Sequence, residues 1–566
     1  MKRRDFIRKI PLAMSIPFTI NGIPLKVMAS NPLSRLAQQG DSDRVLIILQ
    51  LHGGNDGLNS LIPVEQYDLY YSRRANIAIP KSNSIRRYIP LDSTLPSDIQ
   101  VGLHPDMQAM KAMYDQGMVA FIQGVSYKNN NGSHFRGRDI WFMGGGSDDY
   151  YSSGWIGRYL QQEYAPLQYP QDFPNEEMPD PLGIEMGSDV SLIFHQEGNI
   201  PTSLSLNDPA GFANLVEELE GFQDKDIDPR GKPPEFLANS PYGKEMNWIL
   251  GLEKKSDDYA KRLYEVYRQG GNTAITYPEV YPFNAPTGSK RNFLSPQLKL
   301  IARLLAGGCK TKVFMVKIGG FDTHASQVES YDPTMGIHAA LMYHISTAMK
   351  AFQDDLRARG LESRVLTVTT SEFGRRVHSN GSYGTDHGTG GPIFVFGRGV
   401  QPGVLGTVPE MTKDNIEMQF DYRQVYANLL KDWMLVDKNK ITNDIFFGNF
   451  IDGPKEEGGM FEPMPLAVQV ISGTDAFVRE RFNLGECYPN PASDYTTIRF
   501  MMNAESLVHV MLYDRSGKPV RTLVKASYQP GEHLVQADLT GIPAGLYIFK
   551  LNTGSFEQSK KLVISR

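Results

Sequence analysis

Five short apolar runs in this chain border residues that can bind a metal ion or attack an ester. Val45–Leu51 leads into His52-Gly53-Gly54-Asn55-Asp56-Gly57, and Val313–Ile318 into Gly319-Gly320-Phe321-Asp322-Thr323-His324. Val119–Val125 leads to Gly132-Ser133-His134-Phe135-Arg136, and Val365–Thr370 into Ser371-Glu372-Phe373-Gly374-Arg375. The fifth run, Pro392–Phe396, instead follows Gly384-Thr385-Asp386-His387-Gly388. Imidazoles and carboxylates gathered in one place suit zinc, manganese or iron, and calcium where oxygens dominate. With a hydroxyl and a guanidinium beside them, they describe a metal-assisted hydrolytic site.

Each residue also has a plainer reading. Asp56 alone is a turn residue capping a helix, because Asp and Gly favour turns; the companion motifs make it a metal carboxylate. Asp322 and His324 lie two residues apart, so in an extended segment both side chains point the same way and can share one ion. His387 is a metal ligand or a loop histidine bonded to backbone, and Asp386 is a further ligand or the group that orients its imidazole. Glu372 is a ligand, a helix cap, or a partner to Arg375 and Arg376. Ser133 is either a nucleophile activated near a metal or the cap of a helix expected over residues 135–142. His134 can take its place as the functional residue, and the planar fork of Arg136 suits an anionic ester. His104, at a loop-to-helix junction before Pro105, is a further candidate. His195, His338, His344 and His378 have no comparable setting.

These side chains need a scaffold that brings five sequence-distant segments together. Short β-branched and aromatic runs read as buried strands of a parallel sheet. Ligands in open α/β sheets bind beyond the carboxyl ends of such strands. Helices are expected over 107–116, 243–268, 297–306, 338–360 and 422–434. The alternation of strand and helix predicts a parallel α/β domain over residues 43–451. An irregular insertion near 165–300 is expected to carry a short strand near 192–194. A Pro/Gly-containing linker follows over 452–484. Residues 485–566 hold short alternating runs separated by turn signals, which predicts a small all-β sandwich.

The chain has 566 residues, 41% hydrophobic and 21% charged, with a formal net charge of −5. It is a globular composition. No long basic stripe offers a surface to nucleic acid. Two cysteines, Cys309 and Cys487, argue against a disulfide framework and a thiolate metal site. Residues 1–30 begin Met1-Lys2-Arg3-Arg4-Asp5-Phe6 and resemble a twin-arginine export signal, with a proline-broken apolar stretch too short to span a membrane.

The last 80 or so residues closely resemble the C-terminal sorting domain of type IX secretion cargo. The resemblance is carried by Tyr488-Pro489-Asn490-Pro491-Ala492, Tyr513-Asp514-Arg515-Ser516-Gly517 and Leu539-Thr540-Gly541-Ile542-Pro543-Ala544-Gly545-Leu546-Tyr547. It implies passage through the periplasm and the secretion machinery to the cell surface or medium. Such cargo usually enters the periplasm unfolded, so the two export routes either combine here or the paired arginines are incidental.

Over residues 43–436, the five site motifs with Gly154-Trp155-Ile156-Gly157-Arg158 resemble an exported bacterial family with a domain of unknown function, numbered 1501. That family looks like a branch of the alkaline phosphatase and sulfatase superfamily. The resemblance implies one or two divalent ions, a hydroxyl nucleophile, and phosphate or sulfate esters as substrates, including esters carried on glycans. Asp56 would match the first-strand metal carboxylate, Ser133 the nucleophile, Asp322 and His324 an Asp–His metal pair, and His387 the late histidine. Glu372 stands where an Asp-His pair is common, and the sulfatase nucleophile signature is absent around Ser133. Those departures keep a second reading open, a surface binding or assembly protein on a decayed hydrolase fold.

Overall fold

The computed structural model describes residues 19–20, 23–24, 43–82, 85–206, 258–456, 458–467, 482–502, 506–514, 518–529, 531–553 and 557–565. The export leader expected over 1–30 lies outside them apart from two two-residue strands, Thr19–Ile20 and Ile23–Pro24. The chain divides into two units, Met1–Val468 and Gln469–Arg566.

In the first unit, one nine-stranded sheet is built from Val45–Leu51 (β1), Val119–Ser126 (β2), Gly183–Met186 (β3), Ser203–Leu206 (β4), Val313–Ile318 (β5), Val365–Thr370 (β6), Gly391–Phe396 (β7), Gly403–Leu405 (β8) and Phe420–Asp421 (β9). The order is β4-β3-β5-β1-β6-β7-β2-β8, with β9 also paired to β2. Every pairing is parallel except the two made by β7. The fifth apolar run is therefore antiparallel to the sheet expected around it. The reversal explains its inverted motif order. The residues before β7 arrive at the same sheet edge as the residues after β1, β2, β5 and β6.

The central strands β1 and β6 are buried along their whole length, and β5 except at Lys317, as short, mostly apolar or β-branched runs require. Val45, Ile47, Leu49 and Leu51 join one core, and Leu46 and Ile48 join the other, following the two-residue period of a strand. Helices Gln108–Asp115 (α1), His134–Met143 (α2), Trp155–Tyr164 (α3), Leu294–Ala306 (α4), Ile337–Ala358 (α5) and Tyr422–Asp432 (α6) cover the sheet. Residues of α1, α4 and α5 pack into the first core, and those of α2, α3 and α6 into the second. Gly154-Trp155-Ile156-Gly157-Arg158 serves packing: Arg158 is buried and donates to the carbonyls of Met143, Ser153 and Ile445. Among the described residues, no helix is long and apolar enough to cross a membrane.

Three expectations change. Residues 192–194 form a 3-10 turn, not a strand, while β3 and β4 on either side extend the central sheet. The four-residue strands are held by neighbours rather than by their own pattern. The helix expected over 243–268 is seen over 258–270, and its earlier part lies outside the described residues. Met464 and Leu466 are buried in the second core, so the first part of the expected linker packs on the α/β unit; residues 468–481 lie outside the described residues.

Among its described residues, the second unit is all β. Strands Phe482–Tyr488 (β10), Tyr495–Met502 (β11), Ser506–Tyr513 (β12), Pro519–Tyr528 (β13), Gly531–Asp538 (β14), Gly545–Asn552 (β15) and Glu557–Ile564 (β16) form two antiparallel sheets, β10-β11-β14 and β13-β12-β15-β16. Ile498 and Phe500 from one sheet share a core with Val510, Leu512, Phe549 and Leu562 from the other, the arrangement of a sandwich. Both cysteines are buried and free.

Candidate metal centre

The loops after β1, β5 and β6 pack backbone against backbone, and glycine makes this approach possible. Gly53 has φ +123, and a Cβ there would sit 2.2 Å from the Asp322 nitrogen. Its own N–H donates to Glu372 Oε1 at 2.9 Å. Arg375, fully buried, fastens the same loops from beneath. Its guanidinium donates to the carbonyls of Gly54 and Thr385 at 2.9 Å, to those of Gly53 and Phe321, and to Asp322 Oδ1 at 2.8 Å. One side chain thus ties the segments bearing Asp56, Asp322 and His387.

Three imidazoles converge on Asp322. The Nε2 atoms of His134, His324 and His387 lie 3.4, 3.2 and 3.4 Å from Asp322 Oδ1. The Nε2 atoms of His324 and His387 are 2.8 Å apart. Each ring is held at its other nitrogen by an oxygen. His134 Nδ1 meets Glu372 Oε1 at 3.1 Å, His324 Nδ1 meets Asp386 Oδ1 at 3.4 Å, and His387 Nδ1 meets the Gly132 carbonyl at 2.7 Å. Oxygen at Nδ1 favours the ring proton there and would let Nε2 serve as a metal ligand. Unless an ion bridges them, the 2.8 Å approach of His324 and His387 needs a proton on one Nε2. Phe373 packs against the His134 and His387 rings, with centroids 4.9 and 4.4 Å away.

His134, Asp322 and His387 each offer an atom within 4.8 Å of the others and could hold one ion. His134 Nε2 is buried and makes no hydrogen bond among the described residues, and Asp322 is half exposed. Partial burial pushes the Asp322 carboxyl up. The hydrogen bond and charge of Arg375, with His134 and His387, more than offset this and hold it below the usual range. Burial, opposed by the Gly132 carbonyl, holds the His387 imidazole below its usual value.

The other expected site residues are placed as follows. Asp56 is buried away from the imidazoles. Arg74 Nη1 holds both its oxygens at 2.8 Å, and Gln327 Nε2 donates to Oδ2 at 2.6 Å. Burial pushes its carboxyl up, and the Arg74 charge, His338 and the two hydrogen-bond donors bring it below the usual range. Ser133 is exposed and caps α2, its Oγ accepting from the Arg136 N–H at 3.5 Å. Arg136 donates to the carbonyls of Ser147 and Asp149 and lies 3.8 Å over the Tyr150 ring. Glu372 contacts His134 rather than Arg375, whose carboxylate partner is Asp322. His104 is buried, its Nδ1 accepting from the Asp106 N–H.

Sequence reasoning gave Arg375 no role of its own and missed the Gly132 carbonyl. An arginine directly beyond a strand end was the available signal for the first. A backbone oxygen leaves none.

Residues 282–446 match the protein family of unknown function DUF1501, and residues 486–565 match the secretion system C-terminal sorting domain. Both resemblances read from the sequence are thus met, and the sorting domain assigns the chain to type IX export, ending at the cell surface or in the medium. No curated protein matches the sequence. Among solved structures, latent PorU from Porphyromonas gingivalis is 21% identical over 15% of this chain and 9% of its own, with a TM-score of 0.13. A protein in the alkaline phosphatase superfamily from Vibrio parahaemolyticus is 10% identical over 85% of this chain and 82% of its own, at 0.28. The PsFucS1 sulfatase from Pseudoalteromonas sp. is 11% identical over 91% and 87%, at 0.31. At these scores the reading of the site rests on its own geometry.

Proposed function

We propose that this protein is an exported hydrolase that uses one divalent metal ion to cleave phosphate or sulfate esters. The observation that carries the reading is the set of three imidazoles, each held by an oxygen at Nδ1 and aimed through Nε2 at one carboxylate. The buried Nε2 of His134 without a hydrogen bond, beside Asp322, fits a cation. Nitrogen-rich donors suit zinc, manganese or iron rather than calcium or magnesium. His134, Asp322 and His387 would hold the ion, and three protein ligands with a half-exposed face match a catalytic rather than a closed structural site. When bound, such an ion supplies Lewis acidity and a water that ionises near neutral pH.

The protein's own residues do the rest. Glu372 and the Gly132 carbonyl fix the tautomers of His134 and His387. Arg375 donates to Asp322 Oδ1, the oxygen that all three imidazoles face, and holds the carboxylate in place. His324, nearly half exposed and backed by Asp386, takes up and returns a proton at Nε2. Ser133 Oγ is engaged as a cap, and no His, Asp or Glu hydrogen-bonds to it among the described residues, so the attacking oxygen comes from water. One ion rather than two is favoured by Asp56 being paired with Arg74; Glu372 is held through Oε1 by His134 and Gly53, and its buried Oε2 has no hydrogen-bond partner among the described residues.

Elemental analysis of the purified protein, beside a His134→Ala/His387→Ala variant, tests the reading. One equivalent of a transition metal in the wild type, lost in the variant, together with turnover of an aryl phosphate or sulfate, is the expected result. No metal in the wild type after reconstitution would sink the hydrolase reading and leave the surface-binding one.

A further inference from the structure

We propose that His52, Arg138 and Lys317 form an anion subsite beside the imidazole cluster, so that the preferred substrate carries a second sulfate, phosphate or carboxylate beyond the ester that is cleaved. The inference rests on the cluster being the site of cleavage and names the class of substrate it serves. Arg138 is one helical turn beyond His134, at the i,i+4 spacing that puts two side chains on one face of α2. The His52 and His134 rings are stacked, with centroids 6.5 Å apart and planes 11° from parallel. Lys317 is the exposed residue near the end of β5, and the next residue, Ile318, accepts the His52 N–H at 2.9 Å. The three donors therefore come from three elements that meet around His52.

Burial holds the His52 imidazole below its usual value; Glu372 opposes this, and the charges of Lys317 and Arg138 add to it. The fields of both cations thus reach the ring that stacks on His134. Of the carboxylates around them, Glu185 is engaged through both oxygens, which accept from the Ser191 N–H and hydroxyl. Glu372 is engaged through Oε1, which accepts from Gly53 and His134, its buried Oε2 having no hydrogen-bond partner among the described residues. Lys317 Nζ has no hydrogen bond or ion pair among the described residues. Arg138 has only a 3.8 Å approach to its neighbour Asp139 and a 5.8 Å contact with the Phe135 ring. The plainer alternative is a solvated basic rim, which would bind one anion no better than another. One cation without a partner among the described residues, a second held only by its sequence neighbour and a nearby ring, and an imidazole, all flanking a cleavage site, instead favour a polyanion, because charge-assisted hydrogen bonds from several directions discriminate by charge number.

The test is the affinity of the full-length, metal-loaded protein for a disulfated disaccharide and for its monosulfated counterpart, measured calorimetrically. Wild type is expected to bind the disulfated sugar about ten-fold more tightly. In an Arg138→Gln/Lys317→Gln variant that preference collapses to near unity, while metal content and unfolding midpoint stay at wild-type values. Lys317→Gln alone gives a partial loss, and its exposure makes it safe for folding. Equal preference in wild type and double variant, or no preference in wild type, overturns the subsite. Because binding and metal content are read separately from turnover, a protein that holds no metal and cleaves no ester refutes the hydrolase without being mistaken for a failed subsite.

Discussion

Asp56 and Asp322 are both aspartates just beyond central strands, yet their surroundings differ; under the proposed function Asp56 is structural and Asp322 binds the metal, and replacing each in turn separates the two. Asp56 and Arg74 are essentially inaccessible to water. Removing the Asp56 carboxylate leaves the Arg74 guanidinium with the carbonyls of Val377 and Arg376 and with Asn59 Oδ1, but without a counter-charge. An uncompensated buried charge costs about 3–5 kcal/mol, a large share of the stability of an ordinary domain. Asp56→Ala should therefore lower the midpoint of urea unfolding by that equivalent while the folded fraction retains its metal. Asp322→Ala also costs stability, because the buried Arg375 guanidinium loses its carboxylate partner, but it should lose its metal as well, which Asp56→Ala should not. Urea titration paired with elemental analysis of both variants reads the two quantities independently. An Asp56→Ala protein of normal stability that has lost its metal would refute the assignment and restore Asp56 as a ligand.

Glu372→Ala should weaken metal affinity about 10- to 100-fold by freeing the His134 ring, whereas Glu372→Gln, which keeps an acceptor, should weaken it less; competition with a chelator measures both. Ser133→Ala should keep its turnover and lose roughly 1 kcal/mol of stability with the helix cap, and a collapse of kcat at full metal content would make Ser133 the nucleophile instead. His338 is buried, and desolvation, set against the Asp56 charge, brings its pKa down to about 4 from 6.5. The unfolded chain takes up that proton near pH 6.5 and the folded one resists until about pH 4. Stability therefore falls with falling pH across this window, by about 3 kcal/mol in all. Unfolding midpoints at pH 7 and pH 4.5, compared with a His338→Asn variant, should show a smaller loss in the variant.

The parts of the fold legible in the sequence are those whose residues answer to their own local pattern. β1, β5 and β6 are short runs of mostly apolar and β-branched residues, and α5 is periodic over its whole length, so each announces itself. β3 and β4 hold Gly183, Ser203 and Ser205, carry little pattern, and exist because parallel neighbours complete their hydrogen bonds. Strand direction is invisible to periodicity, which is why the reversal of β7 is known only from its pairing. The candidate site divides along the same line. That His, Asp and Glu residues gather at one sheet edge follows from where the motifs sit relative to strand ends. Their sorting depends on which cation or donor reaches each one, and those partners are remote in sequence. Arg74 comes from another helix to take Asp56, and Arg375 comes up beneath the loops to take one oxygen of Asp322. His134 reads as a companion of Ser133 in the sequence, but the helix that Ser133 caps turns the imidazole inward to Glu372 and Asp322. A carboxylate neutralised by a buried guanidinium has little affinity left for a metal ion. Under the proposed function, Asp322 differs in being half exposed and in having three imidazoles gathered at the oxygen that Arg375 also reaches. The difference between Asp56 and Asp322 is thus one of electrostatic surroundings, which residue type and spacing do not encode.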